Sequence, residues 1–367
     1  MKEIIDRITH EHLKPLVEKV IQHQRITTDE ALTLAFEADP GLLGIMADQV
    51  RQHLNKDSLW FIRNFHIEPS NLCIHRCKFC SFRSDVTGNA WELSLDEIEE
   101  IVEKAAPSEE VHITGGVHPE RSFDYYEQMV KLIKRLKPDL HIKAFSAVEI
   151  DDMAQSSGIT TIEVLSRLKQ AGLDALPGGG AEIFNQHIRS EICPDKTDAD
   201  GYLRIHAEAH NLGISSNATM LYGHKETWND RIDHLSRIRQ LQDETGGLQA
   251  FIPLKFRNKN NSMANLYEQP LVEDLRLFAV SRIFLDNVQH IKAYWPMLGK
   301  DATELLLGFG VDDIDGTIND STKIYSLAGA EDQNPMMSLD EFIAMARRHH
   351  RKAIRRNSNY EILETYP

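Results

Sequence analysis

The alternation of short apolar runs with amphipathic helices most constrains the fold of this chain. The first run begins at Ile62, and helical stripes with apolar residues three and four positions apart separate it from the later runs. Strands divided by helices of this length form parallel β/α units, and up to eight units fit between positions 62 and 320. The predicted fold is α/β, a closed or nearly closed (β/α)8 barrel of the TIM type. The predicted strands span 62–68, 111–114, 142–147, 175–176, 215–222, 249–255, 291–295 and 313–316.

Helical segments flank the predicted barrel. Positions 1–60 are expected to form an N-terminal helical extension, positions 61–320 the barrel, and positions 321–367 a C-terminal helical extension. In the last of these, one amphipathic helix is expected to begin after Ser338 and to run through Ile354. Capping boxes are predicted at Thr27 with Glu30, Ser94 with Glu97, Thr160 with Glu163, and Ser338 with Glu341.

Charge and composition exclude several functional classes. The 367 residues carry a formal net charge of −15, whereas a nucleic-acid partner would need a basic face. The apolar stretches are too short to span a membrane, so we expect no membrane association. The first seven residues include acids and lack the apolar core of a targeting peptide, which makes the cytoplasm the expected location. The basic run over 347–356 is expected to be a solvated helix face.

Three cysteines lie close together directly after the first predicted strand. Cys73, Cys77 and Cys80 have Cys-x3-Cys-x2-Cys spacing, which can supply three corners of an iron–sulfur cubane and leave one iron open. A zinc site is the alternative, with His75 or His66 as a fourth ligand, although no second Cys-x2-Cys pair is present. The fourth cysteine, at position 193, lies far downstream and is expected to be a buried free thiol.

The cysteine spacing and the aromatic Phe79 resemble the cluster motif of radical S-adenosylmethionine (SAM) enzymes. That resemblance implies a 4Fe-4S cluster whose open iron binds SAM. Barrel active sites lie on the loops after the strands, so the residues at the predicted strand ends are the candidate SAM contacts. Besides Phe79, these are Thr114, Gly115, Gly116, Ser146, Glu149, Glu182 and Tyr222. For Ser146 and Glu149, a cap on the following helix is an equal alternative.

Further residues after the strands are candidates for substrate contact. Arg83, Lys292 and Trp295 are expected to bind the substrate. His118 and His224 are candidates for catalysis or for a cation near the barrel mouth. For Arg83, Lys292, His118 and His224, a structural role is the leading interpretation when each side chain is taken alone.

Longer segments resemble the radical SAM enzymes of the futalosine route to menaquinone, across nearly the whole chain. They include the cysteine loop, the Gly-Gly turn at 115–116, the run over 177–184, and residues 216–224. Residues 312–317, Asp-Asp-Ile-Asp-Gly-Thr, look like the synthase of that route, whereas its sister cyclase tends to have a Ser-Thr-Met-Met type sequence there. Deazaflavin-forming enzymes resemble the chain less closely.

The resemblance implies a defined reaction. The reduced cluster cleaves SAM, and the 5′-deoxyadenosyl radical adds to the enolpyruvyl double bond of 3-[(1-carboxyvinyl)oxy]benzoate, which carries two carboxylates. Aryl migration and decarboxylation then give 6-amino-6-deoxyfutalosine, so SAM is consumed. A low-potential electron donor such as flavodoxin or ferredoxin is implied, and a homodimer is compatible with the sequence. The alternatives are the cyclase, which acts by hydrogen abstraction, and a non-catalytic zinc or iron–sulfur module.

Overall fold

Eleven strands in two sheets form the framework of the protein in the computed structural model, which describes residues 10–85, 88, 90–317, 323–330 and 335–367. One sheet has seven parallel strands in the order β2-β3-β4-β5-β6-β7-β8, and the other has the order β11-β10-β1-β9. The strands are β1 (Ser58–Ile62), β2 (Asn64–Ile67), β3 (Glu110–Ile113), β4 (His141–Ala144), β5 (Ala175–Leu176), β6 (Ser215–Tyr222), β7 (Leu248–Lys255), β8 (His290–Ile291), β9 (Asp313–Gly316), β10 (Lys352–Arg356) and β11 (Ile362–Tyr366).

The two sheets meet around one barrel axis. Strand β1 passes into β2 with Arg63 alone between them, and β1 also pairs in parallel with β9. On the other side of β9, a parallel bridge joins Asp313 to Lys292, directly after β8. The Ala293 amide donates to the Asp313 carbonyl oxygen at 2.9 Å. The predicted TIM-type barrel class is therefore confirmed, with a narrow junction between β8 and β9.

Amphipathic helices surround the strands and extend the fold at its N-terminus. All four predicted capping boxes are formed. Among the described residues, no helix is long and apolar enough to cross a membrane. The α-helices span Lys14–Ile21, Thr28–Glu37, Pro40–Asn55, Leu95–Lys104, Phe123–Leu136, Ala147–Ser157, Thr161–Ala171, Gln186–Ile192, Ala199–Asn211, Trp228–Thr245, Leu271–Phe284, Trp295–Leu298, Lys300–Leu306, Ile324–Leu327 and Leu339–Arg348.

The C-terminus differs from the predicted single helix. The helix ends at Arg348, and the chain continues as β10, which pairs in parallel with β1, and β11, which pairs antiparallel with β10. The predicted solvated basic face is also wrong for Arg351 and Arg356, which are 6% and 1% exposed. Arg351 donates to the Val311 carbonyl oxygen at 2.7 Å. The basic segment is therefore part of the barrel wall, where its buried arginines have hydrogen-bond partners.

Candidate active site

The three clustered cysteines line one small cavity at the carboxyl end of the barrel. The loop that carries Cys73, Cys77 and Cys80 follows β2, and the three side chains are half-buried free thiols. The cavity measures about 100 Å³ and lies against the loops that follow β3 and β4. Phe79 and Arg83 also line it, and Arg83 Nε donates to the Cys73 carbonyl oxygen at 3.1 Å.

The arrangement of these thiols suits a cluster better than a single ion. Within the described residues, no three His, Cys, Asp or Glu side chains converge closely enough to hold one metal ion. Each cluster thiolate binds a different iron, so three ligands around an open volume are what a cubane requires. Burial raises the pKa of Cys77 to about 12, so the positive charge of bound iron would be needed to hold this residue as a thiolate. This geometry argues against the zinc alternative.

The Gly115–Gly116 turn lies against the cysteine loop. A Cβ on Gly116 would stand 2.1 Å from the Leu72 carbonyl oxygen and 3.0 Å from Cys73 Cβ, so no larger residue fits. The amide that follows, that of Val117, donates to Cys73 Sγ at 3.4 Å. Both glycines line the small cavity. The turn therefore supports the first cysteine as well as forming a wall of the cavity.

Ser146 and Glu149 combine the two roles that the sequence left open. They form a capping box at the start of the Ala147–Ser157 helix, in which the Glu149 carboxylate accepts from the Ser146 amide at 2.7 Å. Both residues also line the small cavity. Burial raises the pKa of Glu149 to about 7, although hydrogen bonds from Ser146 act in the opposite direction. The cap therefore fixes a carboxyl group that titrates near neutrality.

Lys196 is a site residue that the sequence reasoning missed. Its ammonium lies 2.6 Å from the Glu182 carboxylate and 5.3 Å from the centre of the Phe79 ring. It lines both the small cavity and a larger one deeper in the barrel. Lys196 follows a helix rather than a strand, so the rule that functional residues lie at strand ends could not find it. Its position three residues after Cys193 in the sequence does not indicate this role either.

A larger cavity of about 240 Å³ extends from the cysteine loop into the barrel. Cys80 and Thr114 line its upper part, together with Glu182 from the glycine-rich run. Its floor holds buried ion pairs that join different strands. The pairs are Lys143 with Glu110 at 2.8 Å, Lys292 with Asp315 at 2.7 Å and, alongside, Arg356 with Asp313 at 2.7 Å. Lys292, a predicted substrate contact, therefore lines this cavity, and its ammonium is already bound to Asp315.

The two candidate histidines line neither of these cavities. His118 Nδ1 accepts from the Glu120 amide at 3.0 Å, and its Nε2 lies 2.8 Å from Glu92. His224 Nε2 lies 3.1 Å from the Leu221 carbonyl oxygen, and its side chain is fully buried. Both rings make hydrogen bonds within or between loops. Neither side chain lines the two cavities.

Tyr222 and Trp295 are likewise absent from the lining of the two cavities. The Tyr222 hydroxyl donates to Asp274 at 2.9 Å, which ties β6 to an outer helix. Trp295 Nε1 donates to the Gly316 carbonyl oxygen at 2.9 Å, next to the barrel wall. Both side chains are almost fully buried. The contacts of Tyr222 and Trp295 are therefore contacts within the protein core.

Two family profiles and several solved structures resemble this chain. A family profile described as "Radical SAM superfamily" matches residues 67–238, and one described as "CofH/MqnC C-terminal region" matches residues 245–366. The solved structure of methylornithine synthase superposes with a TM-score of 0.74 at 17% identity, covering 93% of this chain and 97% of the other. This likeness concerns the fold alone.

Curated relatives match at higher identity. The chain is 41% identical over 325 residues to the aminodeoxyfutalosine synthase of Thermus thermophilus, which covers 87% of each chain. It is 36% identical over 360 residues to the cyclic dehypoxanthine futalosine synthase of Streptomyces coelicolor, covering 96% of this chain and 89% of the relative. The chain therefore belongs to the radical SAM enzymes that use a 4Fe-4S cluster and SAM, in the family that contains aminodeoxyfutalosine synthase and cyclic dehypoxanthine futalosine synthase.

Proposed function

We propose that the chain joins the 5′-deoxyadenosyl group of SAM to 3-[(1-carboxyvinyl)oxy]benzoate and forms 6-amino-6-deoxyfutalosine. The position of residues 312–317 carries this proposal. This segment resembles the synthase rather than the cyclase in sequence, and Asp315 within it lines the large cavity, bound to Lys292. One residue of the segment that resembles the synthase therefore lies where a substrate would bind.

The small cavity would hold the cluster and SAM. In this proposal Cys73, Cys77 and Cys80 bind three irons, while the Gly115–Gly116 turn and Glu149 face the methionine part of SAM. When bound, the cluster supplies the electron that cleaves SAM. Phe79 is part of the cysteine loop, and the Lys196 ammonium lies over its ring. Thr114, Ser146 and Glu182 would complete the cofactor contacts.

The large cavity would hold the substrate within reach of SAM. Cys80 and Lys196 line both cavities, so the two volumes adjoin at the cysteine loop. The apolar side chains of Phe82, Ile252 and Leu254 line the large cavity and would enclose the aryl ring. These apolar side chains would help to keep water away from a reactive carbon radical. Arg83, from the small cavity, is the proposed cation for one substrate carboxylate, and Lys292 would contact the substrate while it stays bound to Asp315.

Product analysis tests this proposal. The reconstituted enzyme is incubated anaerobically with dithionite, 3-[(1-carboxyvinyl)oxy]benzoate and SAM labelled with ¹³C in its adenosyl group. We expect the label in a decarboxylated adduct. Release of 5′-deoxyadenosine in equal amount to product would instead indicate hydrogen abstraction, as in the cyclase. Failure to cleave SAM would contradict both activities.

We further infer a cytoplasmic location and a low-potential donor such as flavodoxin or ferredoxin. The reduced thiols of a cluster favour the cytoplasm, and cleavage of SAM requires an electron. The division into an N-terminal extension, a barrel and a C-terminal extension, and a homodimeric state, also stay predictions. Gel filtration and limited proteolysis would check the last two.

A further inference from the structure

The described charged groups that line the large cavity are balanced. Three acids and three lysines line it, and each acid is bound to one lysine. The three ion pairs are Glu110–Lys143 at 2.8 Å, Glu182–Lys196 at 2.6 Å and Asp315–Lys292 at 2.7 Å. A substrate with two carboxylates would therefore bring negative charge that the lining does not already compensate. A buried charge without compensation is costly, so binding needs a further positive charge.

His112 is the group in this cavity that can supply it. It is the one histidine among the described lining residues, and its Nε2 is buried without a hydrogen-bond partner in that part of the chain. A second polar atom, Asn217 Oδ1, is buried in the same lining and also has no partner among the residues described. Two polar groups left open in one cavity are what a polar ligand would satisfy.

The barrel register fixes where His112 lies. It pairs with His66 on β2 and with Lys143 on β4, so these three residues form one row across neighbouring strands. Glu110 is two residues earlier on the same strand and therefore faces the same side. A carboxylate beside His112 would thus have Lys143 as its neighbour.

The surroundings of His112 keep it neutral until an anion arrives. Burial, with a smaller effect of His66, lowers the pKa of His112 to about 3, while the nearby acids act in the opposite direction. The titratable groups that face it are His66 from β2, Glu110 from β3, Lys143 from β4 and Asp315 from β9. The two acids among these groups are already bound to lysines, so neither pair is free to balance an added anion. An entering carboxylate would therefore stabilise protonated His112 and raise its pKa.

We propose that His112 binds one carboxylate of the substrate and takes up a proton from solvent as that carboxylate enters the cavity. This inference rests on the proposed function for the identity of the dianion. The proton moves from buffer to the His112 ring nitrogen, and the resulting imidazolium pairs with the carboxylate. No redox step is involved.

Calorimetric titration tests the proposal without turnover. The cluster-loaded enzyme with SAM, and without reductant, is titrated with 3-[(1-carboxyvinyl)oxy]benzoate at pH 7.5 in buffers of different ionisation enthalpy. We expect uptake of close to one proton per bound substrate. His112→Gln should abolish the uptake and weaken binding about tenfold, a loss near 1.4 kcal/mol. The exposed His53→Gln is the matched control and should keep both values.

A second measurement needs no variant. The dissociation constant of the unmodified enzyme should rise about tenfold per pH unit between the pKa of His112 in the free enzyme and its pKa in the complex, because binding takes up one proton over that range, and should level off at higher pH. Absence of proton uptake, or the same uptake in His112→Gln, would overturn the inference while leaving product formation intact. If the substrate neither binds nor reacts, the proposed function itself fails.

Discussion

At the scale of single residues, the four cysteines fall into two groups, according to whether they line the small cavity. Cys73, Cys77 and Cys80 line one cavity, whereas Cys193 is 1% exposed and is absent from its lining. Alanine at any of the first three should reduce iron content and SAM cleavage to background, because one iron loses its ligand. Cys193→Ala should retain both. Iron analysis and visible absorbance check this, and cluster loss in the Cys193 variant would contradict the ligand assignment.

Gly116 offers a second test at this scale. Its hypothetical Cβ stands 2.1 Å from the Leu72 carbonyl oxygen, so Gly116→Ala must displace the cysteine loop. We expect a loss of about 1–3 kcal/mol in the free energy of unfolding and a lower iron content. Gly308→Ala is the control, since nothing lies within 4 Å of its Cβ position. Equal iron content in the two variants would show that the turn does not support the loop.

The elements show what sequence patterns can and cannot predict. Strand β5 was predicted at its observed bounds, and capping boxes were predicted because their residues lie within one turn. The strand predicted over 291–295 was wrong beyond Ile291, because Trp295 begins a helix with Pro296 in its first turn. Lys196 escaped prediction because it follows a helix rather than a strand. Strand β10 escaped prediction because its parallel partner, β1, lies far away in sequence. Local sequence patterns therefore predict the β/α units of the barrel, but they do not predict a strand whose partner is distant in sequence.

One helix–strand contact should make stability depend on pH. His206 and His210, on the Ala199–Asn211 helix, each lie 2.8 Å from the Ser216 hydroxyl at the start of β6. Burial lowers their pKa values to about 3 and about 4, below the usual 6.5. The unfolded chain therefore binds more protons, and stability should fall as the pH drops below 6.5.

The expected size is up to about 1.4 kcal/mol per pH unit for each histidine. Urea unfolding between pH 7.5 and 5 should show a smaller pH dependence in His210→Gln than in the unmodified protein. His12→Gln, at an exposed site, should leave the dependence unchanged. An identical slope in all three proteins would contradict the assignment of this effect to the helix–strand contact.

At the scale of the whole molecule, the C-terminal hairpin supplies a charge to the barrel interior. Arg356 from β10 binds Asp313 of β9 at 2.7 Å, and both side chains are almost fully buried. Arg356→Met should lower the free energy of unfolding by about 3–5 kcal/mol, because it leaves Asp313 buried without its cation. Thermal unfolding would measure this change.

Two variants complete that test. Arg348→Met, which breaks an exposed pair with Glu304, should cost at most about 1 kcal/mol. Asp313→Asn in the Arg356→Met background should recover part of the lost stability, since the buried charge is gone. If the double variant is no more stable than Arg356→Met, the loss arises from packing of the hairpin rather than from charge.

The pairing of β1 with β9 and β10 also determines when the barrel can close during synthesis. The strand that opens the barrel obtains its neighbours from residues near positions 313 and 352, close to the end of the chain. During translation, β1 must therefore wait for almost the entire polypeptide to leave the ribosome before its edges are covered. We expect the nascent chain to need chaperone protection until β9 and β10 have emerged, and a truncation before β10 to prolong that exposure.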